Sequence, residues 1–321
     1  MTVTLAGEGL TSEMEQREPS IVTGAGRGIG RAVALALAAA GHPVCANDTG
    51  VGLDGSRPDP GPAEAVAAEI RADGGDALAV GTDARTPEGA AAVVGAVERW
   101  AGRAPSVLVH AAGTLRDAMV HTASDDDWSE VLASHLSVAV ELTRALAGGV
   151  RARRYGRIVY VGGAAGLVGS VGQAAYAVAK AGLFGLTRAV ALEMAGRDVC
   201  VNYVAPFAFT RMTESIPPAT DQLRDYLRAA PLASAGDVAP LVAWLCSPAA
   251  AGVTGQVFGA RGAEVALWSQ PRPALRLVEE RGWDDAALAA ARPRLDAALV
   301  PLESEFDLFG GPPVAVAGRG G

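Results

Sequence analysis

The stretch Thr23-Gly24-Ala25-Gly26-Arg27-Gly28-Ile29-Gly30 constrains this chain more than any other part of it. It follows a short β-branched run, Ser20-Ile21-Val22-Thr23, and opens an Ala/Leu/Val-rich segment expected to be helical over about 29–40. In that setting Gly24 permits a tight turn, Gly28 lets the backbone approach a pyrophosphate, and Gly30 lets the helix pack close to the strand. The helix N-terminus, with Ile29 at its start, attracts the phosphate charge. A glycine triplet alone is weak evidence. One placed between a strand and a helix in the first βα unit predicts dinucleotide binding.

The same alternation continues along the chain. Strands are expected at 43–47, 77–80, 106–110, 157–161, 199–204 and 256–258, with helices near 63–72, 87–101, 125–147, 173–194, 221–229 and 236–246. The strands are apolar throughout, as in a sheet covered on both faces. The prediction is an α/β fold: a Rossmann-type doubly wound parallel sheet of about seven strands, forming a single domain over 18–268. Residues 1–17 read as a loose polar tail. Residues 269–321 read as a C-terminal extension with a Pro271-Arg272-Pro273 linker, one amphipathic helix at 283–298 and a Gly/Pro-rich disordered end from Gly310.

Composition narrows the partners. The 321 residues carry 35 acidic and 27 basic side chains, a formal net charge of -8, which opposes nucleic acid or an anionic membrane as partner. Ile158 to Ala179 is uncharged, but its five glycines make it a strand, a loop and a helix start rather than a membrane span. Three cysteines in apolar runs, Cys45, Cys200 and Cys246, read as buried free thiols in a reducing, cytoplasmic setting. The N-terminus shows no signal-peptide pattern. The histidines and cysteines show no ligand spacing, so no metal site is expected. His42 and His121 are expected at the surface.

Two further features carry chemistry. The second strand ends in Asn47-Asp48, where a carboxylate can accept hydrogen bonds from ribose hydroxyls and repel a 2′-phosphate; this favours NAD over NADP, although Arg27 in the glycine loop argues the other way. The alternative is a loop aspartate capping the next turn. Tyr176 and Lys180 lie four apart on a helix, so they share a face, and an ammonium beside a phenol lowers its pKa from about 10 toward the working range. A tyrosine tuned in this way can exchange a proton with a substrate oxygen. By spacing alone, a solvated helix face is the stronger reading of such a pair.

Together, TGAGRGIG at 23–30, Asp83 after the third strand, HAAG at 110–113 and YAVAK at 176–180 resemble the short-chain dehydrogenase/reductase family over roughly 18–262. The resemblance implies that Tyr176 is the proton donor or acceptor and that Lys180 holds the nicotinamide ribose and tunes Tyr176. It implies that Asp83 meets the adenine, with Ala84, Ala111 and Gly113 beside the cofactor, and that Thr210 meets the carboxamide. A narrower resemblance, to the (3R)-hydroxyacyl-CoA dehydrogenase domain of the multifunctional β-oxidation enzyme, rests on Asn47-Asp48, Leu115-Arg116-Asp117, Tyr155 to Ile158, Gly172-Gln173-Ala174, Arg211-Met212-Thr213 and Ala239 to Cys246. That subgroup includes steroid 17β-dehydrogenases. It implies a hydrophobic small molecule, an acyl thioester or fused-ring ketone, as substrate. Family members assemble as homodimers or homotetramers through their long helices, here 127–147 and 173–194.

The pattern also breaks. The family's serine, thirteen residues before the tyrosine, is replaced by Gly163, and loss of one such donor costs about 10²–10³ in rate. Ser170 is the only Ser or Thr between Gly163 and Tyr176, and it stands as the candidate substitute. The family's helix asparagine is His135, for which a proton-relay role and a structural role weigh equally. His110 reads as a structural histidine. Phe207 and Phe209 read either as pocket walls or as loop packing. The leading expectation is a nicotinamide-dependent oxidoreductase. The alternatives are a cyclase, dehydratase or isomerase using Tyr176 without net redox, and a non-catalytic cofactor-binding or scaffold protein.

Overall fold

The computed structural model describes residues 18–52, 58–210, 214, 221–303 and 312–316. Its centre is an eight-stranded sheet in the order β3-β2-β1-β4-β5-β6-β7-β8. The strands are β1 (Ser20–Thr23), β2 (Val44–Asn47), β3 (Ala77–Val80), β4 (Val107–His110), β5 (Gly156–Val161), β6 (Val199–Pro206), β7 (Val257–Arg261) and β8 (Glu264–Leu267). The first seven pair in parallel, as short apolar runs separated by helices must. The β8 strand pairs antiparallel with β7. The sheet therefore has one strand more than the sequence predicts. Only two residues part β7 from β8, too short a link for a parallel crossover but enough for a hairpin.

Helices cover both faces. α1 (Gly28–Ala39), α2 (Gly61–Ala72) and α9 (Ala235–Cys246) bury Val33, Leu37, Val66, Ile70, Val242 and Leu245 on one side. α3 (Pro87–Ala101), α5 (Val138–Arg153) and α7 (Ala174–Glu193) bury Val93, Val97, Leu142, Leu146, Leu183 and Val190 on the other. The remaining helices are α4 (Asp125–Leu132), α6 (Ala165–Val168), α8 (Asp221–Ala229) and α10 (Asp285–Asp296). Helix α7 is long and apolar enough to cross a membrane, but here it packs against β6, α4 and α6. All three cysteines are buried and free, and burial pushes the Cys45 and Cys246 thiols up to about 12.

Four expectations need correction. The single helix expected at 125–147 is α4 and α5 joined by a π-helical turn, Ala133–Ser137, which inserts a wide turn where His135 sits. His42 is buried, not superficial; its Nδ1 lies 2.9 Å from the Glu18 carbonyl. The C-terminal helix α10 forms, yet none of its residues is buried, and Leu288 and Leu295 are exposed. Part of the Gly/Pro-rich end is held in place. Pro313 is buried, and the Val314 carbonyl accepts from the Ala263 N–H at 2.8 Å. Residues 1–17, 211–213 and 317–321 lie outside the described residues.

Strand order reverses between β1 and β4, which lie side by side while their helices leave to opposite faces. A crevice opens at their carboxyl ends, the place where open α/β sheets bind ligands.

Candidate active site

The glycine loop forms one wall of that crevice. Gly24 has φ +65°, and a β-carbon there would come within 2.8 Å of the Ala112 backbone; a β-carbon on Gly30 would overlap the Gly24 carbonyl. Only glycine fits either place. Gly28 has φ +53°, and a β-carbon on it would meet nothing nearer than Thr210 Cγ2 at 3.8 Å, so its face looks into the cleft. Helix α1 starts here with no side-chain cap, which leaves its first N–H groups for a ligand. These features fit the pyrophosphate of a nicotinamide dinucleotide, and the cleft volume of about 580 Å³ suits such a group.

Asp48 ties this wall to β2. Its Oδ2 accepts from Gly26 N–H at 2.8 Å and its Oδ1 from Gly50 N–H at 2.7 Å. The carboxylate thus caps the turn after β2, the alternative reading of it from the sequence, and it also borders the cleft. Asn47 braces β3 through the Val80 and Thr82 carbonyls. Asp83 lines the cleft with Ala84, but both its oxygens are engaged by Arg85, from the backbone N–H and from Nε.

The opposite wall carries the proton chemistry. Tyr176 and Lys180 both face the cleft, with Lys180 Nζ 5.3 Å from the centre of the Tyr176 ring. Nζ donates to the Val161 carbonyl at the end of β5 at 2.8 Å, and burial lowers its pKa to about 7. The π-helical turn brings His135 under the loop after β4. Its ring meets Tyr176 edge-on at 5.2 Å and donates from Nε2 to the Thr114 carbonyl at 2.8 Å. With Nε2 so protonated, the buried Nδ1 is a bare acceptor without a partner among the described residues. Burial, helped by the nearby Lys180 charge, holds His135 well below the usual histidine range.

His110 stitches the two walls together. It sits opposite Thr23 in the β1–β4 register. Its Nε2 donates to the His135 carbonyl at 2.7 Å, so its Nδ1, 2.9 Å from Thr23 Oγ1, accepts. The Thr23 oxygen in turn accepts from Ala111 and Ala112 N–H, each at 3.2 Å. Burial, then the Lys180 charge, lowers His110 to about 3, so it is neutral.

Gly162 owes its identity to Tyr203, which also holds the Gly163 backbone. A β-carbon on Gly162 would overlap the Tyr203 ring. The buried Tyr203 hydroxyl accepts from Gly163 N–H at 2.9 Å and donates to the Gly163 carbonyl at 2.7 Å. A β-carbon at Gly163 would lie 3.2 Å from Tyr176 Oη.

The cleft therefore gathers Gly24, Arg27, Gly28, Ile29, Gly30, Asp48, Asp83, Ala84, Ala111, Gly113, His135, Tyr176, Lys180 and Thr210. Ser170 is not among its lining residues; it sits on the loop between α6 and α7, so the expectation that it borders the site is corrected. Phe207 lines the cleft, whereas Phe209 pairs with the segment at Ser234. Sequence reasoning gave no site role to Thr114, Ser134 or Gln173, which also line it. The signal for Gln173 was its position one turn before Tyr176.

A mostly parallel sheet, a glycine-bordered crevice at its switch point and a Tyr–Lys pair facing that crevice define a nicotinamide-dinucleotide oxidoreductase fold. Residues 24–279 match the family model described as Enoyl-(Acyl carrier protein) reductase, and the chain belongs to the short-chain dehydrogenase/reductase family. It is 36% identical over 291 residues to hydroxyacyl-CoA dehydrogenase ChsB1 of Mycobacterium tuberculosis, covering 84% of this chain and 86% of that one. It is 35% identical over 249 residues to 3-oxoacyl-[acyl-carrier-protein] reductase FabG of Pseudomonas aeruginosa, covering 77% and 97%. A crystal structure of a short chain dehydrogenase from Mycobacterium avium superposes with a TM-score of 0.76 at 36% identity, covering 94% of this chain and 98% of that one.

Proposed function

We propose that the protein interconverts a hydroxyl and a ketone on an acyl thioester, with NAD as its preferred cofactor. The observation that carries this is the placement of Tyr176 and Lys180 across one cleft from the open glycine face of Gly28. The relatives named as acting on hydroxyacyl-CoA and 3-oxoacyl thioesters support the substrate class. A bound nicotinamide supplies or accepts the hydride. Tyr176 Oη passes a proton to the carbonyl oxygen as it gains charge, or takes it back in the reverse direction. Lys180, anchored on Val161, would hold the ribose of a bound cofactor and supplies positive charge beside Tyr176. His135 Nδ1, a buried acceptor, is the atom to which a relay water would bond. Asp48 disfavours a 2′-phosphate by charge, against the cation of Arg27.

The test is the change in reduced-nicotinamide absorbance with 3-oxoacyl- and 3-hydroxyacyl-coenzyme A esters, and the ratio of NADH to NADPH affinities by calorimetry. Oxidation or reduction of the thioesters with tighter NADH binding is expected. Tighter NADPH binding overturns the cofactor preference alone.

The absence of a hydroxyl at Gly163 favours one second reading, a cyclase, dehydratase or isomerase in which Tyr176 works as acid or base without net redox. Substrate consumption with no change in cofactor absorbance would establish it.

A further inference from the structure

Carbonyl reduction needs more than a proton donor. The oxygen gains negative charge before the proton arrives, and a second hydrogen bond to it is worth about 10²–10³ in rate. Gly163 faces Tyr176 Oη with no side chain to provide one. The other polar side chains on the same wall can be accounted for in turn. Ser134 donates to the Val131 carbonyl at 3.2 Å, so the Thr114 hydroxyl, 2.9 Å away, donates to Ser134. His135 spends its one N–H on the Thr114 carbonyl and presents a bare acceptor. All three have their protons committed.

Gln173 is different. It lines the cleft three residues before Tyr176, just ahead of the first residue of α7. It stands at the helix N-cap, yet its side chain makes no capping bond. Its Nε2 instead lies 3.1 and 3.3 Å from the two oxygens of Asp117. A carboxylate only accepts, so the amide must turn its nitrogen, not its oxygen, toward Asp117. That nitrogen has two N–H groups, and one carboxylate on one side of it leaves the second available. The backbone fixes the pair as well, because Ala118 N–H donates to the Gly172 carbonyl at 2.8 Å and pins the Asp117 loop against the start of α7.

We propose that Gln173, oriented by Asp117, donates the hydrogen bond to the substrate carbonyl oxygen that no side chain at position 163 supplies. Gln173 is then a catalytic residue and Asp117 a positioning residue. The proposal rests on the carbonyl chemistry above. It names the group that makes this chemistry possible in a site with glycine beside the tyrosine.

The experiment uses the full chain, saturating NADH or NADPH, and acetoacetyl- and 3-oxooctanoyl-coenzyme A as probes. Gln173→Ala and the near-isosteric Gln173→Met are expected to lower kcat by about 10²–10³-fold with KM nearly unchanged, the mark of a bond made mainly in the transition state. Cofactor affinity by calorimetry should stay at the wild-type value, which shows that the variants fold. Asp117→Asn should lower kcat less, again with little change in KM. Gly163→Ser placed in the Gln173→Ala background should regain at least about tenfold, because a hydroxyl there replaces the lost donor. If both Gln173 variants turn over within about threefold of wild type, Gln173 is not the donor while the carbonyl chemistry stands. If wild type itself reduces neither thioester, the proposed function falls and this inference falls with it.

Discussion

At the scale of single residues, two tyrosines divide the labour around Gly163. Tyr176 works on the substrate and Tyr203 on the backbone. Replacing Tyr176 by Phe removes the transferable proton and leaves the ring that packs against His135. We expect kcat to fall about 10²–10⁴-fold while calorimetric affinity for the cofactor is kept. Replacing Tyr203 by Phe leaves the ring under Gly162 but strands the Gly163 N–H and carbonyl, both bonded to its hydroxyl. Each buried group left unsatisfied costs about 1–3 kcal/mol, so the urea midpoint should drop clearly, with a further loss of activity as the Gly163 backbone drifts. Tyr176 and Lys180 were readable from YAVAK. Tyr203 was not, because its partner lies forty residues away in sequence and meets it only through the β5–β6 pairing.

Among the elements, the π-helical turn between α4 and α5 decides where the imidazole of His135 goes. Nothing in Ala133 to Ser137 announces that turn, since each residue is compatible with an ordinary helix and the irregularity is satisfied by tertiary contacts. The sequence pattern revealed strands, helices and the glycine loop because apolar runs and glycines report local backbone needs. It misplaced Ser170 and passed over Gln173 because which loop turns toward a cleft depends on packing between distant segments. Gly113 is the point where the turn and the β4 loop touch. A β-carbon there would overlap the His135 ring. Gly113→Ala should therefore push His135 off Thr114 and weaken both cofactor binding and turnover. Calorimetry and steady-state kinetics on this one variant test whether the two losses occur together.

For the whole molecule, the buried histidines set the response to acid. His110 titrates near 3 when folded and near its ordinary 6.5 when unfolded, and His135 is lowered in the same direction. Between those values the unfolded chain binds a proton that the folded chain refuses, so stability falls as pH drops from 6.5 toward 3 and is insensitive to these groups above 6.5. His110 contributes a slope of about 1.4 kcal/mol per pH unit in that window, and His135 adds to it in the same direction. Urea unfolding from pH 7 to 4 should show the decline, and His110→Gln should remove about one proton from its slope.

The last hairpin has a different bearing on the molecule's fate. A parallel sheet that stopped at β7 would present a row of unpaired peptide groups, an invitation for another chain to add on. Instead β8 folds back over that border, only four residues long and led by a glutamate, and residue 314 near the C-terminus fastens the turn. Loss of this clasp would show first as turbidity on storage and rising light scattering, well before any fall in catalytic rate.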